Sequence, residues 1–188
     1  GQELGLENAT FTDIGQVDDI STIDEYQVAL NAGCTKEQAL AAINRYSRDH
    51  ASMPYPWSDA PNGGFTTGKP WLMVNPEWPT LNLAAEKQQK DSVWHFYKQL
   101  IALRKNPEYS ETVVYGVFEP WLREQHNLMA YLRKGEKTLL VAGNYQTEPQ
   151  EMKLPAPIQK VLMNNMPELE EKDGSVMLKG YQFLVLEI

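Results

Sequence analysis

Apolar residues recur at helical spacing in the first half of the chain and predict three helices there. The first predicted helix spans residues 20–32, and Gly33 supplies its stop. Ser21 or Thr22 is expected to cap its N-terminus, because a side-chain oxygen there can accept an unpaired backbone N–H. The residues before it, 1–16, are predicted to be the exit from a strand into a loop.

Two further helices follow from the same spacing. The second is predicted over residues 36–47, where Thr35 and Gln38 have the spacing of a capping box. The third is predicted over residues 91–106, with Asp91 as its cap. The first half of the chain is therefore expected to be helical outside its loops.

After residue 108 the pattern changes to short runs rich in β-branched and aromatic residues. Turn residues separate these runs, and Asp173-Gly174 predicts a tight hairpin. The runs predicted as strands are ETVVYGVFEPWL, NLMAYLRKG, KTLLVAGNY, QEMKL, IQKVLMNN and SVMLKGYQFLVLEI. Strands at this spacing, without helices between them, predict an antiparallel sandwich of about six to eight strands. The chain is therefore divided into parts 1–108 and 109–188.

In residues 50–80 the apolar positions follow neither the spacing of a helix nor the alternation of a strand. Half of the twelve prolines fall here, which excludes a long helix or a central strand. Trp57, Trp71 and Trp78 make the stretch too apolar for a disordered linker. It is predicted to be a long ordered loop, and ordered loops of this length are usually functional. Its tryptophans are interpreted as anchors of the loop, with stacking on sugar rings as the alternative.

A formal charge of −8 narrows the range of partners. Binding of nucleic acid or of an anionic membrane surface needs a surplus of Lys and Arg, so neither is an expected partner. No apolar run approaches the roughly 20 residues that span a bilayer, and the start GQELGLENATF lacks the features of a signal peptide. Cys34 is the single cysteine, so no disulfide can form within the chain, and a cytoplasmic location is expected.

The residues that could carry chemistry do not form a complete active site in the sequence. Asp18 and Asp19 could act as an acid–base pair, but at a helix N-terminus they are interpreted as capping groups. The three histidines, His50, His95 and His126, lack the spacing of metal ligands. No phosphate-binding loop and no nucleophile elbow is present. The sequence therefore predicts neither a metal site nor a cofactor site.

A longer motif links the loop to a known family. Residues 47–78, SRDHASMPYPWSDAPNGGFTTGKPWLMVNPEW, resemble a segment of oligo-1,6-glucosidases and related α-glucosidases of the α-amylase superfamily, glycoside hydrolase family 13. The matching positions are Ser47, Arg48, Asp49, Ala51, Pro54, Trp57, residues 64–68, Pro70, Trp71 and residues 74–76. The start GQELGL resembles the segment after the family's eighth barrel strand, and FYKQLIALRKN resembles its last barrel helix.

The resemblance implies a fold class. The chain would be an α+β fragment, with a helical end piece of a (β/α)8 barrel over 1–108 and an antiparallel Greek-key β-sandwich over 109–188. The family's catalytic carboxylates lie on barrel strands that would precede residue 1, so no catalytic residue is implied in this chain. The missing N-terminal barrel would be its partner, oligosaccharide would bind only through the parent enzyme, and exposed barrel helices could pair in a homodimer.

The implied function is that of the C-terminal part of a retaining α-glucosidase for short α-1,6 or α-1,4 gluco-oligosaccharides, inactive by itself. The candidate substrate-proximal loop comprises Arg48, Asp49, His50 and Ser52. Where this chain has Ser52, the family has an arginine that helps to bind the terminal sugar, so strict α-1,6 selectivity is not implied. For Arg48 and Asp49, an ion pair that holds the loop is as well supported as sugar contact. The alternatives are a stand-alone carbohydrate-binding module and a structural β-sandwich module.

Overall fold

The computed structural model describes all residues from Gly1 to Ile188 and separates them into two compact units. The first unit is Gly1–Tyr97 and the second is Lys98–Ile188. The sequence-based division at 108/109 rests on where strands begin, and it stays a prediction. None of the helices is both long and apolar enough to cross a membrane.

Five α-helices form, and the three predicted helices are among them. They are α1 (Ile20–Asn31), α2 (Lys36–Tyr46), α3 (Leu83–Glu86), α4 (Val93–Lys105) and α5 (Ser110–Tyr115). Short 3-10 turns lie at Gln2–Leu4, Ile14–Gln16, Arg48–Ser52 and Pro61–Gly64. The stretch predicted as a loop, 50–80, contains no α-helix and no strand, as its prolines require.

Side chains cap α1 and α2, but only one of the caps is at a predicted position. At α2 the capping box of Thr35 and Gln38 is confirmed. At α1 the Asp19 carboxylate accepts both the N–H and the hydroxyl of Thr22, so the predicted cap at Ser21 or Thr22 is wrong. The interpretation of Asp19 as a capping group is confirmed by the same bonds.

Ser92 and Glu86 bind the free N–H groups at the start of α4, where the sequence predicts Asp91. The Ser92 hydroxyl accepts the His95 N–H at 3.3 Å and donates to the Glu86 carbonyl at 2.8 Å. The Glu86 carboxylate accepts the Trp94 N–H at 3.2 Å. The prediction of Asp91 is wrong because the helix begins one residue later than expected, which places Ser92 at the capping position.

Replacing Ser92 by alanine is expected to destabilise the first unit by about 1–2 kcal/mol, because the helix loses its cap and the Glu86 carbonyl loses its donor. Urea denaturation followed by tryptophan fluorescence measures this change, since four of the five tryptophans lie in the first unit. Asp91→Ala is the matched control and should change the free energy of unfolding by less than about 0.5 kcal/mol. Equal effects of the two substitutions would contradict the assignment.

The core of the first unit joins the N-terminal segment to α1 and α2. Its buried members are Phe11, Val17, Tyr26, Ala39 and Ile43. The Asn44 side chain pairs with the Phe11 backbone, where Oδ1 accepts the N–H at 2.6 Å and Nδ2 donates to the carbonyl at 3.0 Å. The end of α2 is thereby tied to residues that precede α1.

The second unit contains eight strands, within the predicted range. They are β1 (Val117–Trp121), β2 (Leu128–Lys134), β3 (Thr138–Asn144), β4 (Gln150–Lys153), β5 (Lys160–Asn164), β6 (Glu170–Lys172), β7 (Ser175–Leu178) and β8 (Phe183–Glu187). They form a five-stranded sheet in the order β1-β2-β3-β8-β5 and a three-stranded sheet in the order β4-β7-β6. Every strand pair is antiparallel. The hairpin predicted at Asp173-Gly174 is confirmed between β6 and β7.

The first half of the run ETVVYGVFEPWL is helical, so the strand prediction is wrong there and right only for β1. Contacts distant in sequence favour the helix α5. Arg133 Nη2 donates to the carbonyls of Val113 and Val114 at 3.1 and 3.2 Å, which pairs carbonyl groups at the end of the helix. The Thr112 hydroxyl accepts the Lys137 N–H at 3.2 Å. These contacts outweigh the β propensity of the two valines.

Side chains from both sheets form one core in the second unit. Its buried members are Leu128, Ala130, Leu132, Leu140, Ala142, Met152, Leu154, Val176, Leu178, Leu184 and Leu186. In β2 the burial alternates along the strand, as expected where only one face of a sheet is covered. The mixture of helices with antiparallel sheets is therefore present, whereas the barrel end piece and the Greek-key sandwich stay predictions.

A polar network joins four segments of the second unit. Tyr109 is 2% exposed and donates its hydroxyl to Glu187 of β8 at 2.9 Å. Lys137 lies 2.6 Å from the other Glu187 oxygen, and Lys160 of β5 donates to the Tyr109 hydroxyl at 3.1 Å. The bond from Lys137 lowers the pKa of the Glu187 carboxyl, and burial raises the pKa of Tyr109. The network therefore holds Glu187 in its charged form.

Candidate functional site

The first unit contains a pocket of about 690 Å³ beside the family-like motif. Its walls come from residues within 1–8 and 45–56, together with Asn75. Small-molecule sites in proteins commonly have volumes of about 300–1,000 Å³. The pocket is therefore the candidate functional site.

Amide side chains hold the three wall segments together. Asn8 Nδ2 donates to the carbonyls of Asn44 and Arg45, each at 3.4 Å. Asn75 is buried, and its Nδ2 donates to the Glu7 carbonyl at 2.8 Å. These bonds join residues far apart in sequence, so tertiary contacts rather than local turns fix the pocket walls.

Asp49 is a buried structural group. One of its carboxylate oxygens accepts the N–H groups of Asp18 and Asp19 at 2.7 and 3.1 Å, just before α1. Its own N–H donates to the Ser47 hydroxyl at 3.2 Å. The Asp49 carboxylate thus fixes the entry into α1 and does not line the pocket.

Arg48 and Ser52 are exposed and lie outside the pocket wall. No ion pair joins Arg48 to Asp49, so the sequence-based alternative of a loop-holding ion pair between them is wrong. The charge of Arg48 acts instead on Asp19. The pKa of Asp19 is lowered mainly by the hydrogen bond from the Thr22 hydroxyl, with a smaller contribution from Arg48.

Of the four candidate loop residues, only His50 lines the pocket. Its ring stacks on Phe11, with 4.9 Å between ring centroids and 17° between planes. Nε2 lies 2.9 Å from the Asn44 carbonyl, which assigns the proton to Nε2 and leaves Nδ1 as an acceptor. Nδ1 is buried without a partner. His50 therefore ties the loop to the end of α2 and to the N-terminal segment.

Five other polar and aromatic residues border the pocket, and the sequence alone did not point to them. They are Glu3, Glu7, Arg45, Tyr46 and Tyr55. The Arg45 guanidinium lies 5.4 Å from the centre of the Tyr46 ring. Burial raises the pKa of Tyr55, and the Glu3 and Glu86 carboxylates raise it further. Tyr55 lies inside the family-like motif, whereas no local pattern in the sequence marks the other four.

The arrangement suits recognition of a neutral polar ligand. The carboxylates of Glu3 and Glu7 and the guanidinium of Arg45 can hydrogen-bond hydroxyl groups, while the rings of Tyr46 and Tyr55 offer flat apolar faces. No group of three His, Cys, Asp or Glu side chains is placed to hold a metal ion. These side chains can hydrogen-bond such a ligand, and nothing in the geometry of the pocket assigns a catalytic role to a single residue.

The aromatic loop is held by its backbone and by asparagine side chains. Asn62 Nδ2 donates to the carbonyls of Thr66 and Gly68, each at 3.1 Å. Gly63 has a φ of +65°, and a Cβ there would lie 3.0 Å from the Pro56 Cα, so only glycine fits this turn. Trp57 and Trp71 are 52% and 64% exposed, so burial of these two rings does not anchor the loop, whereas Trp78 is half-buried.

Comparison with known proteins finds relatives along the whole chain. A family model described as "Alpha amylase, catalytic domain" matches residues 1–116. The chain is 34% identical to the oligo-1,6-glucosidase of Bacillus cereus over 194 positions, covering 100% of this chain and 34% of that protein. It is 32% identical to the trehalose-6-phosphate hydrolase of Bacillus subtilis (strain 168), again covering 100% of this chain and 34% of that protein.

A solved structure extends the likeness to the fold. The trehalulose synthase MutB from Pseudomonas mesoacidophila MX-45 superposes on the chain with a TM-score of 0.89 and is 32% identical to it. The match covers 100% of this chain and 34% of that one. The chain thus spans about a third of the length of the relatives it matches.

Proposed function

Because the chain belongs to the α-amylase family, we propose that it forms the C-terminal part of a retaining α-glucosidase for short α-1,6- or α-1,4-linked gluco-oligosaccharides. The names of its relatives, an oligo-1,6-glucosidase and a trehalose-6-phosphate hydrolase, support a glucosidase. One observation carries the proposal. The whole chain, including every segment that lines the pocket, aligns with these enzymes but covers only 34% of their length.

The proposed role of this chain is to supply one wall of the sugar site. Retention of configuration requires two carboxylates about 5–5.5 Å apart, one as nucleophile and one as acid and base. We assign both to the remaining two thirds of a parent enzyme. Glu3, Arg45 and Tyr55 would then contact sugar hydroxyls and ring faces from this side, while Asp49 and His50 keep the wall in place.

Ser52 bears on linkage selectivity. A guanidinium can bind two hydroxyl groups of a sugar at once and carries a charge, whereas a serine hydroxyl is short and neutral. Ser52 is exposed and lies outside the pocket wall, and its short side chain does not reach into the pocket. We therefore expect weaker selection for one linkage than an arginine at this position would give, and both α-1,6 and α-1,4 substrates stay within the proposal.

The isolated 188-residue chain is expected to give no hydrolysis of p-nitrophenyl α-glucoside above a buffer control, since the two reacting carboxylates are assigned to other polypeptide. Glycosidases accelerate their reaction by about a million-fold or more, so even slight activity would be visible. Release of p-nitrophenol is the measurement. Turnover that disappears in Glu3→Gln or Glu7→Gln would place catalysis in this pocket and contradict the assignment.

A chimera tests the enzyme function itself. In it, residues 1–188 replace the matching third of the Bacillus cereus oligo-1,6-glucosidase. The folded chimera is expected to hydrolyse p-nitrophenyl α-glucoside, with the unaltered relative as the positive control. A folded chimera without activity would count against the proposal that this chain can complete an α-glucosidase.

The proposed compartment rests on the single cysteine, and the alternative function rests on two exposed tryptophans. A single exposed cysteine and the absence of disulfides support the cytoplasm as the proposed location. Exposure of Trp57 and Trp71 supports the alternative of a carbohydrate-binding module, because exposed indole rings are free to stack on sugars. Both functions take the same class of ligand, and they differ in whether this chain belongs to a bond-breaking enzyme.

A further inference from the structure

The second unit carries an apolar groove of about 570 Å³ outside the pocket described above. Its walls come from the C-terminal half of α4, from α5 and from strands β1, β2, β3 and β8 of the five-stranded sheet. Phe118 and Tyr131 form part of the floor, with 5.1 Å between their ring centroids. A groove of this kind on the outer face of a sheet is suited to hold a helix.

Two guanidinium groups lie in this otherwise apolar groove. They belong to Arg104 of α4 and Arg133 of β2. Neither arginine has a carboxylate partner within the chain. Arg133 uses only Nη2, which donates to two carbonyls of α5, and its Nε is buried without a partner. Arg104 is exposed and Arg133 is half-buried, and a carboxylate from an occupant of the groove would pair with both guanidinium groups.

Helix α1 presents a surface of the matching kind. Ile20, Asp24 and Val28 stand four residues apart and therefore lie in one row along the helix. All three are exposed, with Ile20 at 74% and Val28 at 66%. The row places a carboxylate between two aliphatic side chains that no part of the first unit covers.

We propose that the groove binds helix α1 of a second copy of this chain, with Asp24 opposite Arg104 and Arg133 and with Ile20 and Val28 against the apolar walls. Charge complementarity carries the inference, since the chain has a net charge of −8 but leaves two cations unpaired at this one apolar site. The 12 residues of α1 give a rod about 18 Å long. In a two-fold dimer of this kind, each copy would place its α1 in the groove of the other.

Charge reversal in trans tests the pairing. Sedimentation velocity over a range of concentrations should show a dimer for the unaltered chain. Asp24→Lys and Arg104→Glu should each raise the dissociation constant by about tenfold or more. Both positions are exposed, so neither substitution threatens folding. An equimolar mixture of the two variants should recover dimerisation, because the lysine introduced on α1 of one copy then meets the glutamate introduced in the groove of the other. The second contact of that mixed dimer keeps its native pair.

A control variant and three possible results decide whether this dimer forms. Glu25→Lys makes the same charge change on a different face of α1 and should leave the dissociation constant within about twofold of the unaltered chain. A chain that stays monomeric at all concentrations overturns the proposal. So does a dimer that neither reversal weakens, or two weakened variants whose mixture fails to associate. None of these results bears on hydrolysis, so the proposed glucosidase function is tested separately.

Discussion

Asp49→Ala is expected to destabilise the first unit by about 2–4 kcal/mol, one of the two largest effects anticipated in this protein. The substitution removes a buried carboxylate and leaves the N–H groups of Asp18 and Asp19 without their acceptor. A negative charge at the start of α1 also stabilises the helix dipole, and that contribution is lost too. Urea denaturation followed by tryptophan fluorescence measures the free energy of unfolding.

Two neighbouring variants make this result specific. Asp49→Asn keeps one acceptor oxygen but loses the charge, so its effect should be intermediate. Arg48→Ala removes an exposed side chain that has no ion pair, and it should change the free energy by less than about 0.5 kcal/mol. If Arg48→Ala proved as damaging as Asp49→Ala, the carboxylate would not be the group that fixes α1.

Glu187→Gln is the second large effect, expected to destabilise the second unit by about 1–3 kcal/mol near neutral pH. The amide cannot pair with the Lys137 ammonium as a carboxylate does, and the buried Tyr109 hydroxyl loses its charged acceptor. Hydrogen exchange of the β3 and β8 amides is the appropriate measurement, because these strands are neighbours and Glu187 lies in one of them. Unchanged exchange in both strands would rule out a stabilising role for the network.

The same carboxyl predicts a dependence of stability on pH. Its pKa in the folded protein lies below the ordinary value of 4.5, mainly because Lys137 donates to it. The stabilisation from Glu187 is therefore complete above about pH 4.5 and is lost as the pH falls through the lower folded-state pKa. The stability of the Glu187→Gln variant should depend less on pH over this acid range. The two proteins should therefore converge in stability at low pH. A constant difference across the acid range would contradict the assignment.

Local sequence patterns predict which helices and strands form better than they predict the residues at which these begin and end. The capping box of Thr35 and Gln38 was readable because both partners lie within one turn of helix. The caps of α1 and α4 were misplaced by two or three residues and by one residue, since several neighbouring side chains could accept the same N–H group. Helix α5 was missed because Arg133, some twenty positions away, pairs the carbonyls that a strand would have used otherwise.

The candidate site was harder to predict than the fold. The motif marks a loop that borders the pocket, but not which of its residues face the pocket. Asp49 turns inward to bind the backbone before α1, and this depends on a packing contact 30 residues away in sequence. Glu3, Glu7 and Arg45 meet at the pocket through bonds between distant segments, among them those made by Asn8, Asn44 and Asn75. No spacing rule in a single sequence records such contacts.

The turn at Asn62-Gly63 also sets a limit on how long the aromatic loop keeps its shape. An asparagine followed by glycine is prone to spontaneous deamidation, and asparagine is among the thermolabile residues that proteins from hot environments avoid. The reaction would replace the amide that donates to the Thr66 and Gly68 carbonyls with an anion that repels both oxygens. Ageing of the protein would therefore loosen this loop first, through chemistry at one side chain and without any change in the encoded sequence.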